Sequence, residues 1–164
     1  MKGGDVILEE KCHVSFQKKH WEDFFVGEKI KTWAITVTET HLVNWAGVTM
    51  DYYPIHMDAE YAKKGHFGQR VAHGPLTFAL SIGLLGSTGF LGDSVISWLG
   101  LQNMKIPAPV FIGDTISVMV EVIDKKETSN LARGVAIMRY TILNQEGKSV
   151  MVYDSVLLMK RIVS

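Results

Sequence analysis

The chain is poor in several features, and each scarcity argues against a class of protein. Its 164 residues include a single cysteine, Cys12, so neither an internal disulfide nor a cysteine-based metal cluster can form. Lys and Arg together number 17, as do Asp and Glu, so the formal net charge is zero. This balance argues against nucleic acid or an acidic membrane surface as a partner. The lone cysteine fits a reducing compartment, and we therefore predict a cytoplasmic protein.

Long apolar runs and several nucleotide and hydrolase motifs are also missing. The longest mostly apolar stretch, residues 76–91, is short for a membrane span and is interrupted by three glycines. The first residues lack the apolar segment of a secretory signal, so we expect none. The sequence has no G-x-S-x-G and no G-x-x-x-x-G-K, which leaves a serine hydrolase or P-loop enzyme without support. Six histidines are present but none form an H-x-x-x-H pair, and we expect neither a metal nor a cofactor.

An acidic and an imidazole side chain stand close together in the segment D-Y-Y-P-I-H, residues 51–56. Pro54 fixes its own φ and biases Tyr53 away from helical geometry, so a stiff turn can aim Asp51 and His56 at one point. A carboxylate and an imidazole that share one water are the minimum requirement for general acid–base chemistry. Either residue alone would be interpreted as an ordinary turn residue. The pair around Pro54 favours the catalytic interpretation.

A second candidate feature, His73-Gly74-Pro75, opens the apolar stretch. Proline directly after glycine predicts a helix N-terminus with Pro75 near the first helical position. Free backbone N–H groups and the helix dipole would stabilise a developing oxyanion there. Glycine permits close approach of a ligand to the backbone, so the Gly74 amide is the candidate donor. The alternatives are that Gly74 is only a turn residue and that His73 only caps or packs.

The periodicity predicts an α+β fold, with an antiparallel sheet curled around one buried helix. Thr38 is the predicted N-cap of a helix that stops at Gly47, and Asp58 is the predicted N-cap of the next. Residues 76–87 are apolar on nearly every side, which predicts a helix buried all round. Strands are predicted over 29–38, with Trp33, Ile35 and Val37 on one face, and over 95–106, 114–125, 131–144 and 149–161. We predict one domain, 21–164, preceded by an N-terminal extension, 1–20.

These motifs resemble those of the MaoC-like dehydratase and R-specific enoyl-CoA hydratase family. The residues that carry the resemblance are Asp51, Pro54, His56 and Asp58, followed by A-H-G-P-L at 72–76. The resemblance implies the hot-dog fold and hydration of a 2-enoyl-CoA to a 3-hydroxyacyl-CoA, or the reverse dehydration, with R stereochemistry. It implies that Asp51 and His56 hold the catalytic water and that the Gly74 amide caps the thioester oxygen.

The resemblance also guides the remaining assignments. Tyr53 and His73 are candidate substrate-binding residues, an acyl-CoA thioester is the expected partner, and a homodimer or an assembly of dimers is implied. Basic side chains that could meet the phosphates of coenzyme A, or simply be solvated, are Lys63, Lys64, Arg70 and Lys105. The family usually has Gly before the Asp and Asn two positions after it, where this chain has Met50 and Tyr53. A hot-dog thioesterase and a non-catalytic acyl-CoA-binding module therefore remain alternatives, although a pure binder needs no paired acid and base.

Overall fold

The structure, a computed structural model, describes residues 17–162. Most of the predicted N-terminal extension, residues 1–16, lies outside the described residues, as do residues 163–164. The helices are a short 3-10 helix, Trp21–Asp23, then α1, Glu39–Thr49, α2, Pro54–Met57, α3, Ala59–Lys63, and α4, Gly74–Gly86. The strands are β1, Lys29–Lys31, β2, Ile35–Thr36, β3, Val95–Lys105, β4, Thr115–Glu127, β5, Arg133–Leu143, and β6, Ser149–Lys160. None of the described helices has the length and apolar content needed to cross a membrane.

The strands form one antiparallel sheet in the order β1-β4-β5-β6-β3, with β2 also paired to β4. The four long strands begin and end within two residues of the predicted bounds. Their alternation explains why: in β4 the apolar residues at every second position are buried, while the residues between them are only partly buried. The predicted α+β architecture, a sheet curled around one helix, is confirmed. This order leaves β1 and β3 at the two edges of the sheet.

Helix α4 lies against the inner face of the sheet, but it is not buried on all sides as predicted. Leu76 and Leu85 are buried in the core, whereas Ile82 is 46% exposed. The reason is that one sheet covers one side of the helix. A groove along α4, beside Trp98 of the edge strand β3, stays open.

The predicted strand over residues 29–38 is broken at Thr32, which separates β1 from β2. The Thr32 hydroxyl accepts the Val118 N–H at 2.9 Å and donates to the Trp33 carbonyl at 2.7 Å, in place of regular strand pairing. As a result Trp33 is 75% exposed while Val37 is buried, so the prediction that they share a face was wrong.

The first helix also differs from its prediction at the C-terminal end. Gly47 does not stop α1, which continues to Thr49 and ends when Met50 adopts a left-handed conformation with φ of 63°. The Met50 N–H closes the helix on the Ala46 carbonyl at 2.8 Å. Asp58 caps α3 as predicted, because its side chain accepts the Tyr61 N–H at 2.9 Å.

The described end of the N-terminal extension packs on the domain. The Lys19 N–H donates to the Asp93 carboxylate at 3.1 Å. The indole N–H of Trp21, the first residue of the predicted domain, donates to the Val135 carbonyl at 2.9 Å. The Trp21 ring lies so close to Gly134 that a Cβ there would meet it at 2.7 Å.

Candidate active site

The loop after α1 carries the predicted acid–base pair. Met50 turns the chain out of the helix, and the Asp51 carboxylate then accepts the Tyr53 N–H at 3.3 Å. Pro54 starts α2, which places His56 in the last turn of that short helix. The ligand atoms of Asp51, His56 and His73 all lie within 4.8 Å of one another. The structure therefore brings together the two residues that the sequence spacing singled out.

The ring of His56 is oriented by a backbone carbonyl. Its Nδ1 lies 2.7 Å from the Val71 oxygen. Because a carbonyl can only accept, Nδ1 carries the proton and neutral His56 keeps a lone pair on Nε2. His56 can therefore accept a hydrogen bond from water, or a proton, at Nε2.

His73 lies beneath this pair rather than beside it. Its ring is fully buried and stacks on His56, with centroids 3.9 Å apart and an interplanar angle of 28°. Its Nε2 donates to the Asp51 carbonyl at 3.0 Å, while Nδ1 is buried without a hydrogen-bond partner among residues 17–162. Burial lowers the pKa of His73, and the nearby His56 acts in the same direction against the bond to Asp51. A neutral His73 thus ties the Asp51 loop to the start of α4. This contact favours a role in positioning Asp51 over direct contact with the substrate. The assignment of His73 as a substrate-binding residue stays a prediction.

Gly74 is the first residue of α4, with His73 as N-cap and Pro75 directly after it. Its N–H has no hydrogen-bond partner among the described residues, as is usual for the first turn of a helix. Its φ lies outside the left-handed region, so glycine is not required by backbone angle. A Cβ at this position would lie 3.3 Å from the Ile106 Cδ1. The absence of a side chain at Gly74 therefore leaves space between its N–H and the Ile106 side chain.

That space belongs to two adjoining apolar cavities. One, of about 340 Å³, is bordered by both His56 and Gly74, and the other, of about 270 Å³, continues from Gly74 to Phe78. Further walls of the first cavity come from Phe67, Val71, Thr77, Val150, Met151 and the segment 106–110. An apolar group in either cavity would lie beside the free amide, and in the first it would also lie beside the imidazole.

Sequence reasoning missed most of these walls. Pro107 and Pro109 directly follow the predicted strand over 95–106, and no sequence pattern indicates that their segment borders the site. Pairing of the Ala72 N–H with the Val110 carbonyl at 2.7 Å brings the segment to α4. The Val71 carbonyl orients the His56 ring. Val71 stands two residues before His73, but no sequence pattern indicates this contact.

Three other predicted residues, Tyr53, Arg70 and Lys64, are absent from the walls of this cavity. Tyr53 is 59% exposed and is absent from the cavity wall, so its substrate-binding role stays a prediction. Arg70 forms a two-pronged ion pair with Glu39, which commits its guanidinium and argues against a phosphate contact. Lys64 lies on the rim of a separate open depression that also includes His66.

Asp51, His56 and His73 are also a possible metal-ligand set by distance alone. Each histidine, however, has one nitrogen engaged with a backbone carbonyl. The two rings are stacked, so the lone pairs of the other nitrogens lie in two separate and roughly parallel planes. The arrangement suits a hydrogen-bonded water between Asp51 and His56 better than a coordinated ion.

Comparison with known proteins identifies the family to which the chain belongs. The model of the MaoC like domain matches residues 23–141. An (R)-specific enoyl-CoA hydratase from Rhodospirillum rubrum is 35% identical over 103 residues, covering 63% of this chain and 69% of the relative. A 3-hydroxybutyryl-CoA dehydratase from Methylorubrum extorquens is 32% identical over 132 residues, covering 77% and 80%.

Solved structures agree. The monoamine oxidase regulatory protein from Archaeoglobus superposes with a TM-score of 0.84 at 32% identity, over 88% of this chain and 96% of that one. A Mycobacterium tuberculosis protein with a double hot-dog fold superposes with a TM-score of 0.75 at 15% identity, over 88% of this chain and 44% of that one, which supports the fold alone. With the site and the sheet wrapped around α4, these matches establish that the chain is a hot-dog protein and belongs to the MaoC-like dehydratase family.

Proposed function

We propose that the protein adds water to a 2-enoyl-CoA to give an (R)-3-hydroxyacyl-CoA, or catalyses the reverse dehydration. The observation that carries the proposal is an apolar cavity bordered by both His56 and Gly74, with the Asp51 carboxylate within 4.8 Å of a His56 ring nitrogen. The His56 Nε2 and the Gly74 N–H have no hydrogen-bond partner among the described residues. The names of the relatives from Rhodospirillum and Methylorubrum support the thioester substrate and the reaction class, and the former supports the R product.

The resting pair is suited to hold a water. An ionised Asp51 can only accept hydrogen bonds, and the His56 Nε2 also accepts, so one water can donate a hydrogen to each. During hydration one water O–H bond breaks as oxygen bonds to Cβ, and a proton is delivered to Cα. The pair takes up the first proton and supplies the second, so atoms and charge balance over the cycle. The two groups act as one coupled unit, and the base and acid roles are assigned to the pair.

The Gly74 amide stabilises the charge that this step creates. As oxygen adds to Cβ, negative charge moves to the thioester oxygen, which then accepts the Gly74 N–H at the start of α4. The helix dipole favours that charge by roughly 0.3–1 kcal/mol at an exposed site, and by more where the site is partly buried. Removal of one such donor typically costs on the order of 10²–10³ in kcat.

Incubation with crotonyl-CoA tests the proposal. We expect loss of the enoyl absorbance without release of free thiol, and chiral analysis should give the R product. Thiol release with retention of the enoyl group would instead identify a thioesterase. Tight binding of crotonyl-CoA with neither change would identify a binding module.

We also propose that the working unit is a dimer joined through β3. This edge strand is 11 residues long and carries exposed apolar side chains, including Ile96, Trp98 and Leu99. Exposed apolar edges pair readily with another strand, so a second copy is the simplest cover. Light scattering should give twice the monomer mass, and Leu99→Lys should lower it; a monomeric wild-type protein at micromolar concentration would contradict this proposal.

A further inference from the structure

A further apolar cavity, of about 430 Å³, lies beside the C-terminal half of α4. Its walls include Ile82 and Gly86 of the helix, Trp98 of β3 and Leu157 of β6, together with Tyr140 and Ser155. The reaction proposed above does not use this cavity. It shares no wall residue with the 270 Å³ cavity that begins at Gly74.

Both cavities lie along one row of α4. Gly74, Phe78, Ile82 and Gly86 are spaced four residues apart, which places them on the same face of the helix. Gly74 and Phe78 border the near cavity, and Ile82 and Gly86 border the far one. The two cavities therefore follow each other along one groove between the helix and the sheet.

Aromatic rings separate the two cavities. Phe78 contacts Trp98 with centroids 5.9 Å apart and Tyr153 with centroids 5.0 Å apart. Tyr153 is held in turn by its hydroxyl bond to Ser81, at 2.7 Å, and by stacking on Tyr140 at 4.7 Å. Phe78 thus stands across the groove one helical turn, roughly 6 Å, from Gly74.

We propose that Phe78 and Trp98 are the stop that limits this enzyme to short acyl chains, and that the far cavity is an extension of the acyl site which these two rings separate from the Gly74 amide. The inference rests on the proposed function, because it assumes that the thioester lies at the Gly74 amide. A short chain fills the near cavity and ends against Phe78. A longer chain enters the far cavity only when the Phe78 ring is removed.

Binding of saturated acyl-CoAs to the full chain tests the stop without any need for catalysis. Calorimetry would compare butyryl-CoA with octanoyl-CoA for wild type, Phe78→Ala, and Phe78→Ala combined with Gly86→Leu. Gly86 suits the blocking substitution because a Cβ there meets no atom within 4 Å. Phe90→Ala is the matched control, since Phe90 packs on Phe24 and borders neither cavity.

In Phe78→Ala each methylene that enters the far cavity should tighten binding about fourfold, equivalent to ~0.8 kcal/mol. Octanoyl-CoA should therefore gain at least about tenfold over butyryl-CoA relative to the wild-type ratio. Gly86→Leu should cancel the gain, and Phe90→Ala should keep the wild-type ratio. Trp98→Ala, at a half-exposed position, opens the same wall with little risk to folding and should also favour octanoyl-CoA.

An unchanged ratio in both Phe78→Ala and Trp98→Ala would overturn the inference, as would a gain that Gly86→Leu does not cancel. Trp98 also lies on the β3 edge proposed above as the dimer interface, so light scattering of Trp98→Ala accompanies its binding ratio; if its mass falls, the Phe78→Ala ratio decides the inference. Hydration of crotonyl-CoA by the wild type is measured separately. Absence of that activity would refute the proposed function, while the binding ratios would still decide whether Phe78 is the stop.

Discussion

Substitution of Gly74 separates the proposed oxyanion role from a structural role. Alanine adds only a Cβ, which would lie 3.3 Å from the Ile106 Cδ1, so the Ile106 side chain must yield by a few tenths of an ångström. The φ of Gly74 suits any residue, and alanine favours helix by up to about 1 kcal/mol relative to glycine. We therefore expect the melting temperature of Gly74→Ala to be equal to or slightly above that of wild type.

The expected loss of activity follows from the distance between the thioester and the amide. Loss of an oxyanion donor costs on the order of 10²–10³ in kcat. A Cβ pushes the thioester oxygen away without removing the N–H, so Gly74→Ala should lose roughly 10- to 100-fold and Gly74→Val the full amount. Both would be measured as kcat and kcat/KM with crotonyl-CoA beside the melting temperature.

A second substitution identifies the cause of the loss. Ile106→Val removes the methyl group that the new Cβ would contact. If Gly74→Ala acts only by displacing Ile106 into the cavity, the double variant recovers wild-type activity. If the Cβ shields the amide, as we expect, the loss persists. Full activity in a stably folded Gly74→Val protein would refute the oxyanion role.

Two further predictions concern stability. Met50 holds a left-handed conformation with φ of 63° while its side chain is 75% exposed, so Met50→Gly should raise the free energy of unfolding in urea by about 1 kcal/mol. Met50→Ala, which keeps the unfavourable φ, is the control, and equal stability of the two variants would contradict this explanation. Burial lowers the pKa of His73, so the unfolded state binds the proton more readily than the folded state. The free energy of unfolding is therefore retained above about pH 6.5 and falls below it by up to about 1.4 kcal/mol per pH unit. His73→Asn should lose this slope in urea unfolding over the same pH range; an identical slope in both proteins would exclude His73 as its source.

The sequence predicted the features that depend on local spacing. Strand β4 was predictable because the alternation of Ile116, Val118 and Val120 decides which side chains face the core. Asp51 and His56 were predictable because only a few residues and a proline separate them. Each of these inferences needs only neighbouring residues.

Features that depend on distant contacts were not predictable. The Thr32 hydroxyl breaks a strand because it meets Val118, 86 positions away. The His56 tautomer depends on a carbonyl 15 positions away, and the buried His73 ring is hydrogen-bonded to a carbonyl 22 positions away. Such bonds between a side chain and distant backbone leave no periodic signal in the sequence.

The most direct test of the proposed chemistry is the kcat of Asp51→Asn with crotonyl-CoA. The substitution is nearly isosteric and keeps an oxygen to accept the Tyr53 N–H, so the loop and the melting temperature should be preserved. It removes the charge and the basicity with which Asp51 holds and moves a proton. We predict a loss of kcat of about 10²–10⁴-fold, and near wild-type turnover by the folded variant would contradict the account.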